Sequence, residues 1–241
     1  MENHERNCRP GFCPAEKQGW TGYPLLWEID RRALLEDLRA FLEEETKEKD
    51  KMIPTYFEIL FGFKGFRSRK EWSSEPVLLT LEDGTSFSLR GRIDRVDFSP
   101  EGDRLRVIDY KTGKLKGKED GFSGGTTLQL PLYLMAACRI WKQADLEKSR
   151  AEYYLVSRKG KFSRLVFRGE GWKEKEKKLK KILDIIARGI REGIFFPFRE
   201  EDRDCGYCDF RGLCEHGVDV LFQKKKSDPQ AATFLEMREI P

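Results

Sequence analysis

A run of strand-like segments between residues 77 and 111 limits the folds open to this chain. Residues 77–81 and 85–89 flank Asp83-Gly84, the strongest short signal for a β-hairpin. Two longer segments, residues 91–97 and 105–111, continue the run, and a turn built on Ser-Pro-Glu-Gly-Asp separates them. Such a meander predicts neighbouring antiparallel strands in one sheet.

Helical patterns surround the meander. Apolar residues recur at helical spacing before it and again after it. In chain order the remaining predicted elements are a helix over 24–49, a strand over 54–61, a helix over 126–142 capped by Thr126 or Thr127, a hairpin of 151–157 with 162–167, and a basic helix over 172–193. This order predicts an α+β (mixed α/β) fold, with a central mixed sheet flanked by helices.

Composition excludes several classes of protein. No apolar run approaches the roughly 18 residues of a membrane span, and no secretion signal opens the chain, so we expect a cytoplasmic protein. The 46 basic and 42 acidic residues nearly cancel, which is not the footprint of a dedicated nucleic-acid binder. Two Asn and five Gln among abundant Lys and Glu are typical of thermophiles.

A carboxylate and an amine end the strand predicted over 105–111. Because strand side chains alternate, Asp109 and Lys111 lie on one face with Leu105 and Val107. Asp94 is on the preceding strand, near enough for its carboxylate to meet that of Asp109. Such a pair repels unless a divalent cation bridges it, and Mg²⁺ or Mn²⁺ prefers oxygen ligands.

A bridging cation would activate water and neutralise a phosphodiester, while Lys111 would orient that water or stabilise the developing charge. The alternative for Asp-x-Lys alone is a surface salt bridge on an exposed hairpin. Gln129 and Tyr133 add to the first interpretation. They are four residues apart, so they share one helix face, and each places a polar group in an apolar helix. Taken singly, either residue would be an ordinary amphipathic residue at a helix boundary.

Four ordered motifs together resemble a known family. They are GRIDRVD at 91–97, DYKTG at 109–113, LQLPLY at 128–133 and CGYCDFRGLC at 205–214. Their sequence is similar to that of RecB-type nucleases of the PD-(D/E)XK superfamily, and most similar to the nuclease domain that ends AddB-type helicase–nuclease subunits. The resemblance spans roughly residues 24–214. It implies a restriction-endonuclease-like core and an exonuclease acting on single-stranded DNA ends delivered by a helicase in double-strand break repair and recombination.

The resemblance also assigns residues. It implies that Asp94 and Asp109 bind the metal, that Lys111 is catalytic, and that Gln129 and Tyr133 support the site or contact DNA. The family also has a Gly-x-x-x-His motif upstream of this region, and no such motif precedes Pro24. We therefore expect the chain to be a piece of a longer protein, or a short relative that lacks this part.

The six cysteines are grouped in a way that favours metal ligation over disulfides. Five of them lie in two terminal groups, whereas Cys138 lies in an apolar stretch and is expected to be a core thiol. The resemblance implies a [4Fe-4S] cluster on Cys205, Cys208 and Cys214, with Cys13 the candidate for the fourth ligand. A Cys₃His zinc site completed by His216, or no metal at all, remains open.

The chain is thus expected to comprise an irregular segment (1–22), a nuclease core (23–200), a cysteine-rich loop (201–218) and a C-terminal tail (219–241). The predicted function is a Mg²⁺- or Mn²⁺-dependent deoxyribonuclease that works with a helicase subunit or with an upstream helicase-like domain. Two alternatives remain: a catalytically inactive module of the same fold that binds DNA ends or docks a subunit, and a zinc-stabilised interaction domain.

Overall fold

A computed structural model describes residues 16, 18–63, 75–113, 115, 117–199, 205, 206, 208–214 and 217–241. In these residues the strands and α-helices follow one another as α1 (Pro24–Thr46), β1 (Ile53–Phe61), β2 (Val77–Thr80), β3 (Ser86–Leu89), β4 (Gly91–Phe98), β5 (Leu105–Lys111), α2 (Gln129–Ile140), β6 (Arg150–Leu155), β7 (Arg164–Arg168), α3 (Trp172–Glu192), α4 (Val218–Lys225) and α5 (Ala232–Arg238). The order of elements predicted for the core, and its α+β class, are confirmed.

Five strands form the main sheet, in the order β1-β4-β5-β6-β7. The pairs β1–β4, β4–β5 and β6–β7 are antiparallel, whereas β5 and β6 are parallel. Parallel neighbours need a crossover connection, and helix α2 provides it. The crossover therefore returns the chain from the end of β5 to the start of β6, and α2 begins close to the site where β5 ends.

One face of the sheet holds the apolar core. Val96, Val107, Ala151 and Phe167 are register partners across four neighbouring strands, and each is at most 1% exposed. Helices α2 and α3 contribute to the same cluster through residues such as Leu134 and Ile182, and Cys138 of α2 is buried there as predicted. Burying this apolar face stabilises the domain.

The opposite face is covered by α1 and holds charged side chains that sequence reasoning did not single out. Asp97 is fully buried, and both Arg95 and Arg106 donate two hydrogen bonds to its carboxylate. Glu45 and Glu48, from the end of α1 and the residues just after it, bind the same two guanidinium groups. This network ties α1 to the sheet through charge as well as apolar packing.

Two predictions about local structure are wrong. Helix α2 has Leu128 as its N-cap, without a side-chain cap, because the Thr126 hydroxyl instead donates to the Ser123 carbonyl at 2.8 Å. Residues 219–241, expected to be a tail, contain most of α4 and all of α5. Met237 is buried in the core, so this segment is not an exposed tail.

None of the helices in the described part of the chain combines the length and the apolar character needed to cross a bilayer.

Candidate active site

The two carboxylates predicted to share a cation lie opposite each other at one end of the β4–β5 pair. Arg95 pairs with Ile108 in this antiparallel ladder, and the register continued by one residue sets Asp94 against Asp109. The Tyr110 backbone N–H donates to Asp94 Oδ2 at 2.9 Å. One oxygen of Asp94 is thus held by the strand that carries Asp109, which fixes the orientation of its carboxylate.

Asp109 is buried and contacts two other predicted site residues. Its Oδ1 accepts a hydrogen bond of 2.7 Å from Gln129 Nε2. Its Oδ2 forms an ion pair with the Lys111 ammonium but accepts no hydrogen bond of ordinary geometry. Asp109 Oδ2 therefore lies beside the Lys111 ammonium and accepts no hydrogen bond from an amide or a hydroxyl group.

Lys111 lies between these groups and solvent. Its Nζ contacts Asp109 and also donates to Gln129 Oε1 at 3.3 Å. The side chain keeps 38% of its surface exposed, so the ammonium group can be reached from outside. A compact cation fixed at two points and open to solvent is suited to meeting a phosphate oxygen.

Tyr133 lies at the edge of this group of residues. Its ring packs edge to face on Phe61, with 6.1 Å between centroids. A Cβ on Gly91 would lie 3.2 Å from the Tyr133 ring and 3.1 Å from Phe61, which explains why glycine opens the GRIDRVD motif. Gln129 and Tyr133 do share a helix face, but Gln129 bonds to the carboxylate centre whereas Tyr133 packs over the start of β4.

Burial and charge shift the pKa values at the site. Burial raises the pKa of Asp109, and the neighbouring Asp94 carboxylate raises it further, whereas Lys111 and Gln129 pull it down. The net direction is upward, so ionised Asp109 is destabilised unless more positive charge approaches.

Tyr153 is a member of the site that sequence reasoning missed. It lies on β6, where it is the register partner of Asp109, and its hydroxyl donates to Gln129 Oε1 at 3.1 Å. The run 151–155 contains few charges and has the pattern of a strand buried on both sides, so the sequence offered no signal that this tyrosine faces the carboxylates.

The donors present fit a hard divalent cation. Asp94 and Asp109 supply carboxylate oxygens on adjacent strands, the Asp109 pKa is raised in part by Asp94, and Asp109 Oδ2 is buried without an ordinary hydrogen bond. Mg²⁺ and Mn²⁺ take such oxygens together with waters and substrate oxygens. Within the described residues no group of three or more His, Cys, Asp or Glu side chains could hold a metal, so the protein part of this donor set is two carboxylates.

A separate cavity of about 990 Å³ is lined by described residues between Phe195 and Leu221. Cys205, Cys208 and Cys214 line it as free thiols together with phenylalanines that include Phe198 and Phe210. Thiolates suit zinc or an iron–sulfur cluster, but these three are not gathered into a ready ligand set. Cys13 and His216, the predicted candidates for a fourth ligand, lie outside the described residues.

Comparisons with known proteins find a matching family and similar sequences. The family model of the PD-(D/E)XK nuclease superfamily matches residues 7–215, which is most of the chain. Curated relatives named as subunits of an ATP-dependent helicase/deoxyribonuclease match shorter stretches. One from Clostridium perfringens (strain 13 / Type A) is 40% identical over 138 residues, which is 56% of this chain and 11% of the relative.

Two further relatives carry the same name. The one from Pelotomaculum thermopropionicum is 35% identical over 121 residues, covering 47% of this chain and 10% of the relative. The one from Alkaliphilus oremlandii is 34% identical over 90 residues, covering 36% of this chain and 7% of the relative. The chain thus spans roughly a tenth of the length of these curated relatives.

Proposed function

The chain belongs to the PD-(D/E)XK nuclease superfamily, and from this premise we propose that it is a metal-dependent deoxyribonuclease domain hydrolysing phosphodiester bonds at DNA ends. The observation that carries the proposal is the hydrogen-bonded group formed by Asp109, Lys111 and Gln129 beside Asp94. An exposed surface salt bridge, the alternative weighed for Asp-x-Lys, would not have a buried acid bonded to a glutamine from another element.

Asp94 and Asp109 would hold the Mg²⁺ or Mn²⁺ ion. When bound, the ion would lower the pKa of a coordinated water and neutralise charge on the scissile phosphate. Its positive charge also offsets the cost of ionising Asp109, whose pKa is raised by burial and by Asp94. A bound cation would therefore stabilise the ionised form of Asp109.

Lys111 and Gln129 act around these carboxylates. The Lys111 ammonium is exposed enough to meet a non-bridging phosphate oxygen, where it would stabilise the charge that develops during hydrolysis. Gln129 binds both the Asp109 carboxylate and the Lys111 ammonium. It would hold the acid and the amine at a fixed spacing, and such pre-organisation lowers the barrier.

The names of the relatives support the wider setting that we propose. They describe subunits of proteins that combine ATP-dependent helicase and deoxyribonuclease functions. We propose that this domain likewise receives single-stranded DNA from a helicase partner, or from a helicase-like part of the same polypeptide. Tyr133, which packs against Phe61 at the edge of the site, would then contact the strand beside the scissile phosphate.

Cleavage of end-labelled single-stranded DNA, with Mn²⁺ and with EDTA, tests the proposal. We expect cleavage with metal that is lost in Asp109→Asn, and a metal-dependent rise in thermal stability that the same variant lacks. Asp228→Asn, a change at a partly exposed acid that caps a short turn before α5, serves as the control. Equal stabilisation of the wild type and Asp109→Asn by Mn²⁺ would refute the assignment of the metal site.

A second candidate function is an inactive module that binds DNA ends or docks a subunit. The observation favouring it is the small donor set, two carboxylates within the described residues. Such a module would bind single-stranded DNA without cleaving it, and both Asp109→Asn and Lys111→Ala would leave that binding unchanged. Absence of Mn²⁺-dependent cleavage, even when the upstream sequence of the parent reading frame is joined to this chain, would select this function.

A further inference from the structure

Tyr153 is placed to control the orientation of the Gln129 side chain. It lies on β6 directly beside Asp109 of β5, on the sheet face that carries the carboxylates, and it is only 9% exposed. Its hydroxyl donates to Gln129 Oε1 at 3.1 Å, and the Lys111 ammonium lies 4.9 Å from the centre of its ring. One side chain therefore contacts two members of the site through two different parts of its structure.

The Tyr153 hydroxyl and the Lys111 ammonium meet at one end of the Gln129 amide. The ammonium can only donate, whereas the hydroxyl donates to the amide oxygen at 3.1 Å. Gln129 Oε1 then receives hydrogen bonds from two donors, Tyr153 and Lys111.

The two hydrogen bonds to the Gln129 amide oxygen set the direction in which the amide nitrogen points. An amide oxygen accepts and an amide nitrogen donates, so the oxygen belongs on the side of the Tyr153 hydroxyl and the Lys111 ammonium. The nitrogen must then face Asp109 Oδ1, to which it donates at 2.7 Å. With the opposite orientation, the amide oxygen would face the Asp109 carboxylate, and the amide nitrogen would face the Lys111 ammonium, which has no acceptor.

We propose that Tyr153 is a positioning residue of the nuclease centre, whose hydroxyl fixes the Gln129 amide and whose ring supports the Lys111 ammonium. With Gln129 fixed in this way, Oδ1 of Asp109 accepts the hydrogen bond from the amide nitrogen. Oδ2 lies beside Lys111 and can bind a metal cation. Groups that orient metal ligands commonly change metal affinity by about 10- to 100-fold when they are removed. The inference rests on the proposed nuclease function for its catalytic consequence, but not for the orientation of the amide.

The experiment compares Tyr153→Phe with Tyr154→Phe. Both variants lose one hydroxyl from neighbouring buried tyrosines of β6, but Tyr154 lies on the opposite face, where its ring stacks with Arg164 at 4.0 Å. The first readout is hydrogen exchange of the Gln129 side-chain amide by NMR. The chain has only five glutamines, so a Gln129→Ala variant identifies the signal.

We expect exchange of the Gln129 amide to accelerate about tenfold or more in Tyr153→Phe and to be unchanged in Tyr154→Phe. The second readout is Mn²⁺ affinity by calorimetry, which should fall about tenfold in Tyr153→Phe. In a Gln129→Ala background, Tyr153→Phe should change Mn²⁺ affinity less than about twofold, because the hydroxyl acts through the amide.

An unchanged amide signal in Tyr153→Phe, or an effect of equal size in Tyr154→Phe, would overturn the inference. So would additive losses of Mn²⁺ affinity in the double variant. Failure of the proposed function gives a different result: wild-type protein that shows the amide response but neither binds Mn²⁺ nor cleaves DNA. In that case the orienting role of Tyr153 stands and the nuclease assignment falls.

Discussion

Gln129 Nε2 donates to Asp109 Oδ1 at 2.7 Å, which joins the first residue of helix α2 to the end of strand β5. The two residues are 20 positions apart, and the crossover from β5 to β6 brings them together. The same glutamine also accepts from Lys111 and Tyr153. The start of α2, the parallel strands β5 and β6, and the antiparallel strand β4 with Asp94 therefore meet at one point.

Asp97→Ala should destabilise the fold strongly, because it leaves the buried Arg95 and Arg106 without their shared carboxylate. Removing one partner from a buried ion pair costs about 3–5 kcal/mol. Urea unfolding measures the change in the free energy of unfolding. Asp103→Ala, which removes an exposed acid paired with Lys148, is the matched control and should cost far less. Similar losses in the two variants would show that the buried network does not stabilise the fold as described.

Asp109→Asn should raise the thermal stability of the metal-free protein at neutral pH. Since burial raises the pKa of Asp109 in the folded state, the folded protein binds a proton at this position more tightly than the unfolded chain does. Ionised Asp109 therefore lowers stability above its raised pKa, and this cost disappears as the pH falls through that pKa. Asparagine avoids the cost at all pH values.

Melting temperatures of the wild type and Asp109→Asn, recorded in EDTA from pH 8 downward, check this pH dependence. The gap between the two proteins should be largest at the alkaline end and should close toward the ordinary aspartate pKa of about 4. A gap that widens on acidification would mean that the Asp109 pKa is lowered rather than raised.

Gly124→Ala should destabilise the loop that leads into α2. Gly124 has φ +60°, and a Cβ there would lie 2.8 Å from the Arg238 carbonyl oxygen, while the Arg238 guanidinium donates to the Gly124 carbonyl. Gly102 has φ +74° with nothing within 4 Å of a Cβ, so Gly102→Ala isolates the backbone cost of about 1–2 kcal/mol. Gly124→Ala should exceed that loss in thermal or urea unfolding. Equal losses would show that α5 does not constrain this loop.

Cys208→Ser should remove any iron or zinc retained by anaerobically purified protein, because Cys208 shares one cavity with Cys205 and Cys214. Cys138→Ser, a change at a buried core thiol, should leave the metal content unchanged. We expect protein purified in air to lack a complete [4Fe-4S] cluster. Iron, sulfide and zinc analysis makes the measurement. Iron and sulfide lost in Cys13→Ser would identify the fourth ligand, whereas zinc lost in His216→Ala would identify a Cys₃His site.

Much of the secondary structure could be predicted from local sequence patterns. Strand alternation placed Asp109 and Lys111 on one face, and the Asp83-Gly84 turn predicted the β2–β3 hairpin, because both depend on neighbouring residues alone. The predicted N-cap of α2, Thr126 or Thr127, is wrong, since the helix is capped at Leu128. Threonine is a common N-cap residue, but tertiary packing sets where this helix starts. The order of strands, with β1 and β7 at the edges, involves contacts that no local pattern specifies.

Long-range contacts account for what the sequence did not reveal about the site. Spacing predicted a shared helix face for Gln129 and Tyr133, but not that only Gln129 would bond to Asp109. Tyr153 could not be assigned to a face because residues on both sides of β6 are buried. Residues 219–241 look polar in sequence, and only their packing around Met237 shows that they belong to the core.

We expect Lys111 to act in phosphodiester hydrolysis beside Asp94 and Asp109, and single-turnover cleavage of end-labelled single-stranded DNA with Mn²⁺ measures this role. Lys111→Ala should lower the cleavage rate about 10²- to 10³-fold while DNA affinity, measured by fluorescence anisotropy, stays within about twofold. Lys177→Ala, which removes an exposed lysine paired with Glu174 on α3, should change neither quantity. Cleavage by Lys111→Ala at the wild-type rate would show that this lysine has no part in hydrolysis.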